Sequence, residues 1–222
     1  MLFKKFGFLT FLLNAVLVTG CVSVKHTPLT TAGSEALQNA SVTTTHYPTP
    51  DFTAMTAGKA SFALVGAAAM ISAGNKIVKE NNIPDPAVTI GEGLLKRMVE
   101  SRHVAVVPAK QNLVQKDDVK TLVANNKHAD YLLDIKTINW MFSYYPTDWT
   151  HYRIIYNARL RLIDTKAGKV IAETMCQTVQ GDDKSPPTHD QLLDNNASLL
   201  KDYLTKGANQ CVDVLAKDVL RL

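Results

Sequence analysis

A run of three predicted β-strands constrains the fold of this chain more than any other feature of its sequence. In the middle strand, apolar side chains alternate with polar ones, and the polar side carries Arg159 and Arg161. Alternation with a period of two places one face of a strand against a core and the other face in water. Gly168 is available for the positive φ of a tight turn before the third strand. We therefore predict an antiparallel meander with one face that is basic and exposed to solvent. Its strands occupy residues 129–142, 150–163 and 169–180.

The apolar residues of the third strand determine its register against the second strand. Val170 and Ala172 must face the core together with the even-numbered apolar residues of the second strand, so even positions pair with even positions. This register places Glu173 opposite Arg159 or Arg161. We therefore predict a cross-strand pair between Glu173 and one of these arginines.

Helical periodicity is found on both sides of the meander. Asp85 and Pro86 are typical of a helix start, and apolar residues follow them at three- and four-residue steps. The same steps between Leu204 and Leu222 predict a long C-terminal helix. We expect an α/β (α+β) fold, in which a mixed sheet of about five strands ends in the meander and helices pack on one face. Three shorter elements are predicted: a first strand over 40–47, a buried strand over 104–107 and a helix that starts at Asp117.

Two cysteines fall on faces that point to the same interior. Cys176 lies on the apolar face of the third meander strand, and Cys211 lies on the apolar stripe of the C-terminal helix. We predict a disulfide between Cys176 and Cys211 that ties the last strand to the last helix. The alternative is a pair of reduced thiols in the core.

Residues 62–71 form the most apolar stretch after the N-terminal segment. A stretch of this length is too short to span a bilayer as a helix, because spanning needs roughly 20 apolar residues. Small residues spaced four apart let another element approach closely. Three interpretations stay open: a helix packed inside the domain, a surface for self-association or for a partner, and a shallow membrane contact.

Aromatic residues crowd around the hairpin between the first two meander strands. Tyr152 and Tyr156 fall on the core face, and we expect them to pack there. Other aromatic residues lie near the hairpin tip, where rigid side chains would suit a protein partner or a glycan. A cluster that caps the core would use the same residues. The candidate partner surface consists of Trp140, Tyr144, Tyr145 and Trp149.

No motif in the sequence indicates catalysis. Gly58 and Lys59 are followed by Ala60, so the Ser or Thr of a phosphate-binding loop is missing. The six histidines fall in separate segments without metal-ligand spacing. The net charge of +4 is too small for a dedicated nucleic-acid-binding protein, which would carry a clear basic stripe. We therefore predict a protein that is not an enzyme and that uses no metal, cofactor or nucleic acid.

The N-terminus has the three parts of a secretory signal peptide: two lysines, an apolar run and small residues before a cleavage site. The residues Val18, Thr19, Gly20 and Cys21 resemble the lipobox of bacterial lipoproteins. In that family the signal peptide is removed before the cysteine, and the cysteine is then acylated. The resemblance implies a membrane anchor of acyl chains such as palmitate on Cys21. Because Val22 stands where an Asp would retain a lipoprotein in the inner membrane, it also implies the outer membrane. An ordinary signal peptide with a chance cysteine is the alternative.

A second resemblance concerns the folded part of the chain. Residues 129–135 and 158–170 resemble the core of small α/β envelope domains, such as CsgG, the N-terminal domain of TolB and LpoB-type lipoproteins. These domains pair a hydrophobic strand after Ala-Asp-Tyr with a hairpin of the form Leu-Ile-Asp-x-Lys-x-Gly-Lys. The resemblance covers residues 86–220 and implies a fold rather than a function.

These inferences divide the chain into a signal peptide (1–20), a lipidated polar tether (21–39) and a single periplasmic α/β domain (40–222). We expect a lipid-anchored outer-membrane lipoprotein that acts through protein–protein contact in envelope assembly or maintenance. Two other functions stay open. One is an accessory subunit of a secretion or surface-organelle system, with residues 62–71 as its contact. The other is an enzyme that acts on envelope material.

Overall fold

The structure is a computed structural model, and it describes residues 24–61, 63–109, 113–181 and 184–222. In these residues the chain forms short N-terminal elements, two longer helices, a meander and a long C-terminal helix. The strands are β1 (Ser41–Thr44), β2 (Thr53–Met55), β3 (Ala105–Val106), β4 (Tyr131–Tyr145), β5 (Asp148–Asp164) and β6 (Lys169–Gln180). The helices are α1 (Thr31–Glu35), α2 (Ala57–Ala60), α3 (Ala63–Glu80), α4 (Pro86–Arg102), α5 (Val119–Asn125) and α6 (His189–Val214), which continues as a π-helical turn, Leu215–Leu220.

The six strands form one mixed sheet in the order β3-β1-β4-β5-β6, and β2 pairs with a later part of β4. The pairs made by β1, β2 and β3 are parallel, whereas β4, β5 and β6 are antiparallel neighbours. The predicted mixed sheet, its terminal meander and the long C-terminal helix are therefore confirmed. The turn before β6 has Gly168 at a φ of 65°, as a left-handed turn position requires.

The register between β5 and β6 agrees with the predicted one over most of its length. Ala172 pairs with Leu162, and Glu173 pairs with Arg161. A register shift after Leu162 then places Val170 opposite Ile163, on the other face of the sheet. The prediction for Val170 was wrong because a bulge inserts one extra residue into β6 between Val170 and Ala172. The side chains before the bulge therefore point to the opposite face of the sheet.

Helices α3, α4 and α6 cover one face of the sheet. Ile90 and Leu94 of α4 and Leu204 and Ala208 of α6 are buried in one core cluster with the even-numbered residues of β5. Asp85 caps α4 by accepting a hydrogen bond from the backbone of Ala87, as its sequence position predicts. One helix differs from the expected arrangement: α5 lies on the opposite face.

Helix α5 covers part of the second face of the sheet. Leu122 of α5 packs there against Leu132 and Ile163 in a small separate core. Its N-cap is Asp118, whose side chain accepts a hydrogen bond from the backbone of Thr121. The predicted helix is therefore present, but its N-cap is Asp118 and its first residue is Val119, two residues after Asp117.

The segment that the sequence predicts to be a tether is part of the folded domain from Thr27 onward. Thr27 pairs with Glu173 at the outer edge of β6, and the Leu29 backbone donates to the carbonyl of Val219. Leu29 and Leu37 are fully buried. The boundary at residue 39 was wrong for this stretch, because two isolated leucines in a polar segment carry no periodic signal and yet anchor it to the core.

Strand β3 is an exposed edge strand, whereas a buried strand was predicted. Ala105 and Val106 are both exposed, and Val106 keeps 50% of its surface. Only Val104, just before the strand, is buried. The apolar run marked the strand correctly but could not show that it lies at the margin of the sheet.

The structure joins Cys176 of β6 to Cys211 of α6 by a disulfide, with 5.8 Å between the two Cα atoms. Both residues are buried in the main core. The predicted bond is therefore confirmed. It closes a separation of 35 residues and holds α6 against the outermost strand.

We expect loss of the disulfide to destabilise the domain without unfolding it. The double variant Cys176→Ala with Cys211→Ala should lose about 3 kcal/mol of unfolding free energy, because the unfolded chain regains the freedom that the bond removes. Denaturant unfolding with and without dithiothreitol measures this loss. The wild type should respond to the reductant and the double variant should not. Two free thiols at these positions in the non-reduced protein, found by mass spectrometry, would contradict the bond.

Candidate functional site

A cluster of buried charges lies on the second face of the sheet, centred on Asp134 of β4. The Asp134 carboxylate is fully buried and accepts hydrogen bonds from Arg161 Nε at 2.7 Å and Tyr47 Oη at 2.5 Å. Thr45 Oγ1 at 3.0 Å and Arg159 Nη2 at 3.4 Å complete its surroundings. A buried carboxylate is stable only when it is paired and hydrogen-bonded in this way. Burial, together with the nearby Asp134 carboxylate, raises the pKa of Tyr47, so this phenol stays protonated and donates.

Asp117 extends this cluster toward the surface. Its carboxylate accepts hydrogen bonds from Lys136 Nζ at 2.8 Å and from Arg159 Nη2 at 3.1 Å. The Asp117 carbonyl also accepts from Arg161 Nη2 at 2.8 Å. The hydrogen bond from Lys136 is the main cause that lowers the pKa of Asp117 from 3.8 to about 2. A carboxylate held this far below neutral pH is a poor general base, because a base works best with a pKa near the operating pH.

The prediction of a solvent-exposed basic face was wrong for Arg159 and Arg161. Each keeps only 7% of its surface, because the segment before α5 and the carboxylates of Asp117 and Asp134 cover them. Arg161 pairs with Asp134, its neighbour on β4, although Glu173 also lies opposite it. Asp134 interrupts the apolar run 132–135, and this single acidic residue in a buried strand was a signal that could have revealed the cluster.

A groove of about 600 Å³ opens beside the charge cluster. This volume falls within the usual range for small-ligand sites. Lys136 lies over the Tyr47 ring, with Nζ 5.3 Å from the ring centroid. Residues from four separate segments line the groove; they include Tyr47, Asp51, Asp85, Lys116, Asp117, Lys136 and Thr137.

Asp85 is the most enclosed carboxylate of the groove. It accepts hydrogen bonds from Thr137 Oγ1 at 2.5 Å and from the Ala87 backbone at 2.9 Å. Burial raises the pKa of Asp85. Thr137 also contacts the hydroxyl of Tyr156 at 3.0 Å. Asp85 caps α4 and Asp117 pairs with Lys136, so these two carboxylates stabilise the fold. Across the described ranges, no group of three His, Cys, Asp or Glu side chains is arranged to hold a metal ion.

Two separate segments, residues 129–135 and 158–170, contact each other directly. Lys166 Nζ lies 2.6 Å from the Asp130 carboxylate, which also accepts from the backbone and hydroxyl of Ser41. These hydrogen bonds, with that from Lys166 the largest cause, hold the pKa of Asp130 well below its usual range. Thr165 Oγ1 donates to the Ala129 carbonyl at 2.5 Å. The contacts fasten β1, the start of β4 and the turn before β6 together, which is a structural task.

The structure separates the four aromatic residues that were expected to form one partner surface. Trp140 is fully buried and packs edge-on against Phe52, with 5.1 Å between ring centroids, so its assignment to the surface was wrong. Tyr144 is half-buried and packs on the core. Tyr145 is half-buried, and its hydroxyl donates to the Gly181 carbonyl. Trp149 keeps 67% of its surface, and its Nε1 donates to the Pro146 carbonyl. Cys21, the predicted lipidation site, lies outside the described residues.

The apolar stretch 62–71 belongs to α3 from Ala63 onward, and α3 packs on the domain through one side only. Gly66, Met70 and Gly74 are buried on that side, where Gly74 has no room for a side chain against the Phe52 carbonyl. The other side of the first turns is exposed, and Val65 keeps 78% of its surface. Internal packing therefore accounts for one side, and the exposed side leaves a partner contact open. No helix in the described part of the chain is long and apolar enough to cross a membrane.

Comparisons with known proteins give structural likeness only. No family model matches the chain, and no curated protein matches it. Matching solved structures include the PelC dodecamer from Paraburkholderia phytofirmans, with 13% identity over 85% of this chain and 96% of that one, at a TM-score of 0.36. Protein XCC0632 from Xanthomonas campestris matches with 11% identity over 90% and 93%, at 0.43. Lipoprotein GNA1162 from Neisseria meningitidis matches with 16% identity over 78% and 99%, at 0.29. At these identities and TM-scores, none of them supports an argument about function.

We expect the charge at Asp134 to be needed for the fold. Asp134→Ala should cost about 3–5 kcal/mol of unfolding free energy, because it leaves Arg161 buried without the carboxylate that accepts its hydrogen bond. Asp213→Ala is the matched control, since it also breaks an Arg–Asp pair, but an exposed one. Chemical denaturation of the two variants checks the difference. Equal losses for both variants would contradict the role given to burial.

Proposed function

We propose that this chain is a lipid-anchored outer-membrane protein whose single α/β domain works by binding another protein in envelope assembly or maintenance. The observation that carries the proposal is the short distance in sequence between the lipobox-like segment ending at Cys21 and the first contacts of the folded domain. His26 Nδ1 lies 2.9 Å from Thr174 Oγ1, and the Thr27 backbone donates to the Glu173 carbonyl at 2.7 Å.

This spacing would hold the domain close to its anchor. Five residues lead from Cys21 to His26, and an extended chain advances at most about 3.5 Å per residue. An acylated Cys21 would therefore keep the edge of β6 within roughly 18 Å of the lipid surface. Such a tether suits a protein that meets its partner at the membrane.

The disulfide supports an oxidising compartment for the domain. The Cys176–Cys211 bond is buried in the main core, and structural disulfides of this kind persist in the periplasm and are rare in the cytosol. This fits an exported protein, as the signal peptide would require. The proposal places the bond and the lipid on the same side of the inner membrane.

The chemistry of the described side chains supports binding rather than catalysis. The carboxylates of the groove are engaged in hydrogen bonds that stabilise the fold, and the pKa of Asp117 is far below neutral pH. Trp149, by contrast, is a rigid and exposed aromatic side chain at the tip of the β4–β5 hairpin. Tryptophan is among the residues that contribute most to binding energy in protein interfaces.

Lipidation is testable on the full-length chain in a Gram-negative host. Metabolic labelling with an alkyne fatty acid should mark the wild type, and the protein should sediment with the outer membrane. Cys21→Ser should abolish the label and release the protein from the membrane fraction. Val22→Asp is the matched control: it should keep the label and, by family analogy, move the protein to the inner membrane. An unlabelled wild type would overturn the anchor.

Partner contact is testable with a photo-cross-linking amino acid at position 149 in native envelopes. We expect a discrete cross-linked envelope protein, and Trp149→Ser should remove that partner from a pull-down while leaving the melting temperature unchanged. Trp140→Ala serves as the contrast, because removal of this buried ring should cost about 3–5 kcal/mol of stability. Loss of stability in Trp149→Ser would show that this residue supports the core instead.

The exposed side of α3 favours a second candidate function, an accessory subunit of a larger envelope machine. Val65 is the most exposed of the large apolar side chains in the described residues. The same photo-cross-linker at position 65 separates the two candidates. Cross-links from position 65 to subunits of one assembly, with none from position 149, would favour the accessory subunit.

A further inference from the structure

Strand β6 forms one margin of the sheet, and within the described ranges most of its outer edge has no strand beside it. Thr27 covers the edge at one point: its backbone exchanges two hydrogen bonds with Glu173, at 2.7 and 2.9 Å. Beyond that point, the structure gives the outer backbone groups of Met175, Gln177 and Val179 no hydrogen-bond partner among the described residues. Among the described residues, the outer edge of β6 is therefore open from Met175 to Val179.

The direction of these groups follows from antiparallel geometry. Residues of an antiparallel strand point their backbone N–H and C=O groups alternately toward one neighbour and the other. Glu173 directs both groups outward, and the pairing with β5 runs without a shift from Ala172 to Gln180. Odd-numbered residues of this stretch therefore present their backbone groups outward, and even-numbered residues bond to β5.

The open edge lacks the features that normally prevent pairing between proteins. Edge strands are protected by charged side chains, prolines, bulges or short length. The stretch from Thr174 to Gln180 contains no charged residue and no proline, and it continues without a bulge. At the opposite margin of the sheet, β3 has two residues. Val179 keeps 38% of its surface on the open edge.

We propose that the β6 edge pairs antiparallel with the β6 edge of a second copy of this chain, about a two-fold axis at Gln177. A symmetric pair can centre on a residue that points its backbone groups outward or on the residue between two such residues. A centre at Cys176 or at Thr178 would engage only two of the three residues Met175, Gln177 and Val179. An axis at Met175 would need the groups of Glu173, which Thr27 already occupies. An axis at Val179 would need Gly181, whose φ of 76° ends the strand. Gln177 is therefore the position that fits, and it allows about six backbone hydrogen bonds.

The side chains of this register are complementary to themselves, which favours a second copy as the occupant. Met175 lies opposite Val179 of the second copy, and Gln177 lies opposite its own equivalent, so no like charges meet. Val179 also continues an apolar row across the sheet, since Met141 pairs with Ile155 and Ile155 pairs with Val179. Met141 and Ile155 are half-exposed on the second face. Pairing would extend this row into the second copy and shield part of it from water.

The geometry of the pair is compatible with two copies on one membrane. The two-fold axis of an antiparallel edge pair is perpendicular to the sheet, so both copies keep the same face on the same side. The chain segments that lead to Thr27 in the two copies then also lie on the same side of the paired sheets. The self-pairing does not depend on the proposed lipid anchor, and it can be tested whether or not Cys21 is acylated.

The test uses the full-length chain in native membranes with a cysteine placed at the axis. Directly paired residues bring their Cα atoms to about 5.5 Å, within the range of a disulfide. Gln177→Cys should therefore give a covalent dimer on mild oxidation, seen on a non-reducing gel and absent after reduction. Glu100→Cys on the exposed side of α4 is the matched control and should give at least tenfold less dimer. The proposal would be overturned if Gln177→Cys gave no dimer, or no more dimer than Glu100→Cys. A cross-link from Gln177→Cys to a different protein would also overturn it.

A second variant tests the pairing without a new cysteine. Met175→Lys with Val179→Lys places lysines opposite each other across the axis while leaving the face toward α6 intact. Sedimentation of the detergent-solubilised full-length protein should show a dimer for the wild type and a monomer for this variant, with at least a tenfold weaker association. The melting temperature of the monomeric variant shows whether it is still folded. A wild type that stays monomeric at 100 μM, or a folded variant that still dimerises, would overturn the proposal.

Discussion

The pairing of Asp134 with Arg161 is the interaction on which the arrangement of this domain depends. The two residues lie directly opposite each other on β4 and β5, and the carboxylate has no exposure to water. A charge in that position is tolerated only with its full set of partners, so Tyr47 and the segment containing Asp117 must also be in place. A slip of one residue would turn the arginines toward the helices and the apolar residues of β5 toward water. The charges and the apolar alternation thus specify the same register.

The two faces of the sheet carry different tasks. The face covered by α3, α4 and α6 forms the main core, and the Cys176–Cys211 bond fastens its last helix to the marginal strand. The other face is covered only where α5 and the charge cluster lie on it, and it stays half-exposed toward the β6 edge. The carboxylates of the groove hold the fold together, whereas the exposed features of the described residues include an aromatic tip, one side of α3 and the edge of β6. This distribution is the basis for the proposal that the domain works by binding another protein.

Several elements could be predicted from local patterns. Alternation marked the meander, three- and four-residue steps marked α4 and α6, and the two cysteines fell on apolar faces, so their bond followed from those assignments. Other features depended on distant contacts. Trp140 is buried because Phe52, 88 positions earlier in the chain, packs on it, and Leu29 is buried because the chain end reaches it. A bulge turned Val170 to the other face, and nothing in its immediate neighbours marks that insertion.

The sequence by itself determined the meander strands, α4 and the C-terminal helix, and the apolar side of each over most of its length, because side-chain periodicity is a local property of the backbone. It also placed a lipobox-like segment at the N-terminus, which is the basis for expecting an anchor. Only the tertiary structure decided what covers each side. Arg159 and Arg161 are basic residues on a polar face in the sequence, and they become buried because Asp134 and Asp117 arrive from other segments. Burial depends on contacts between parts of the chain far apart in sequence, and periodicity carries no information about those contacts.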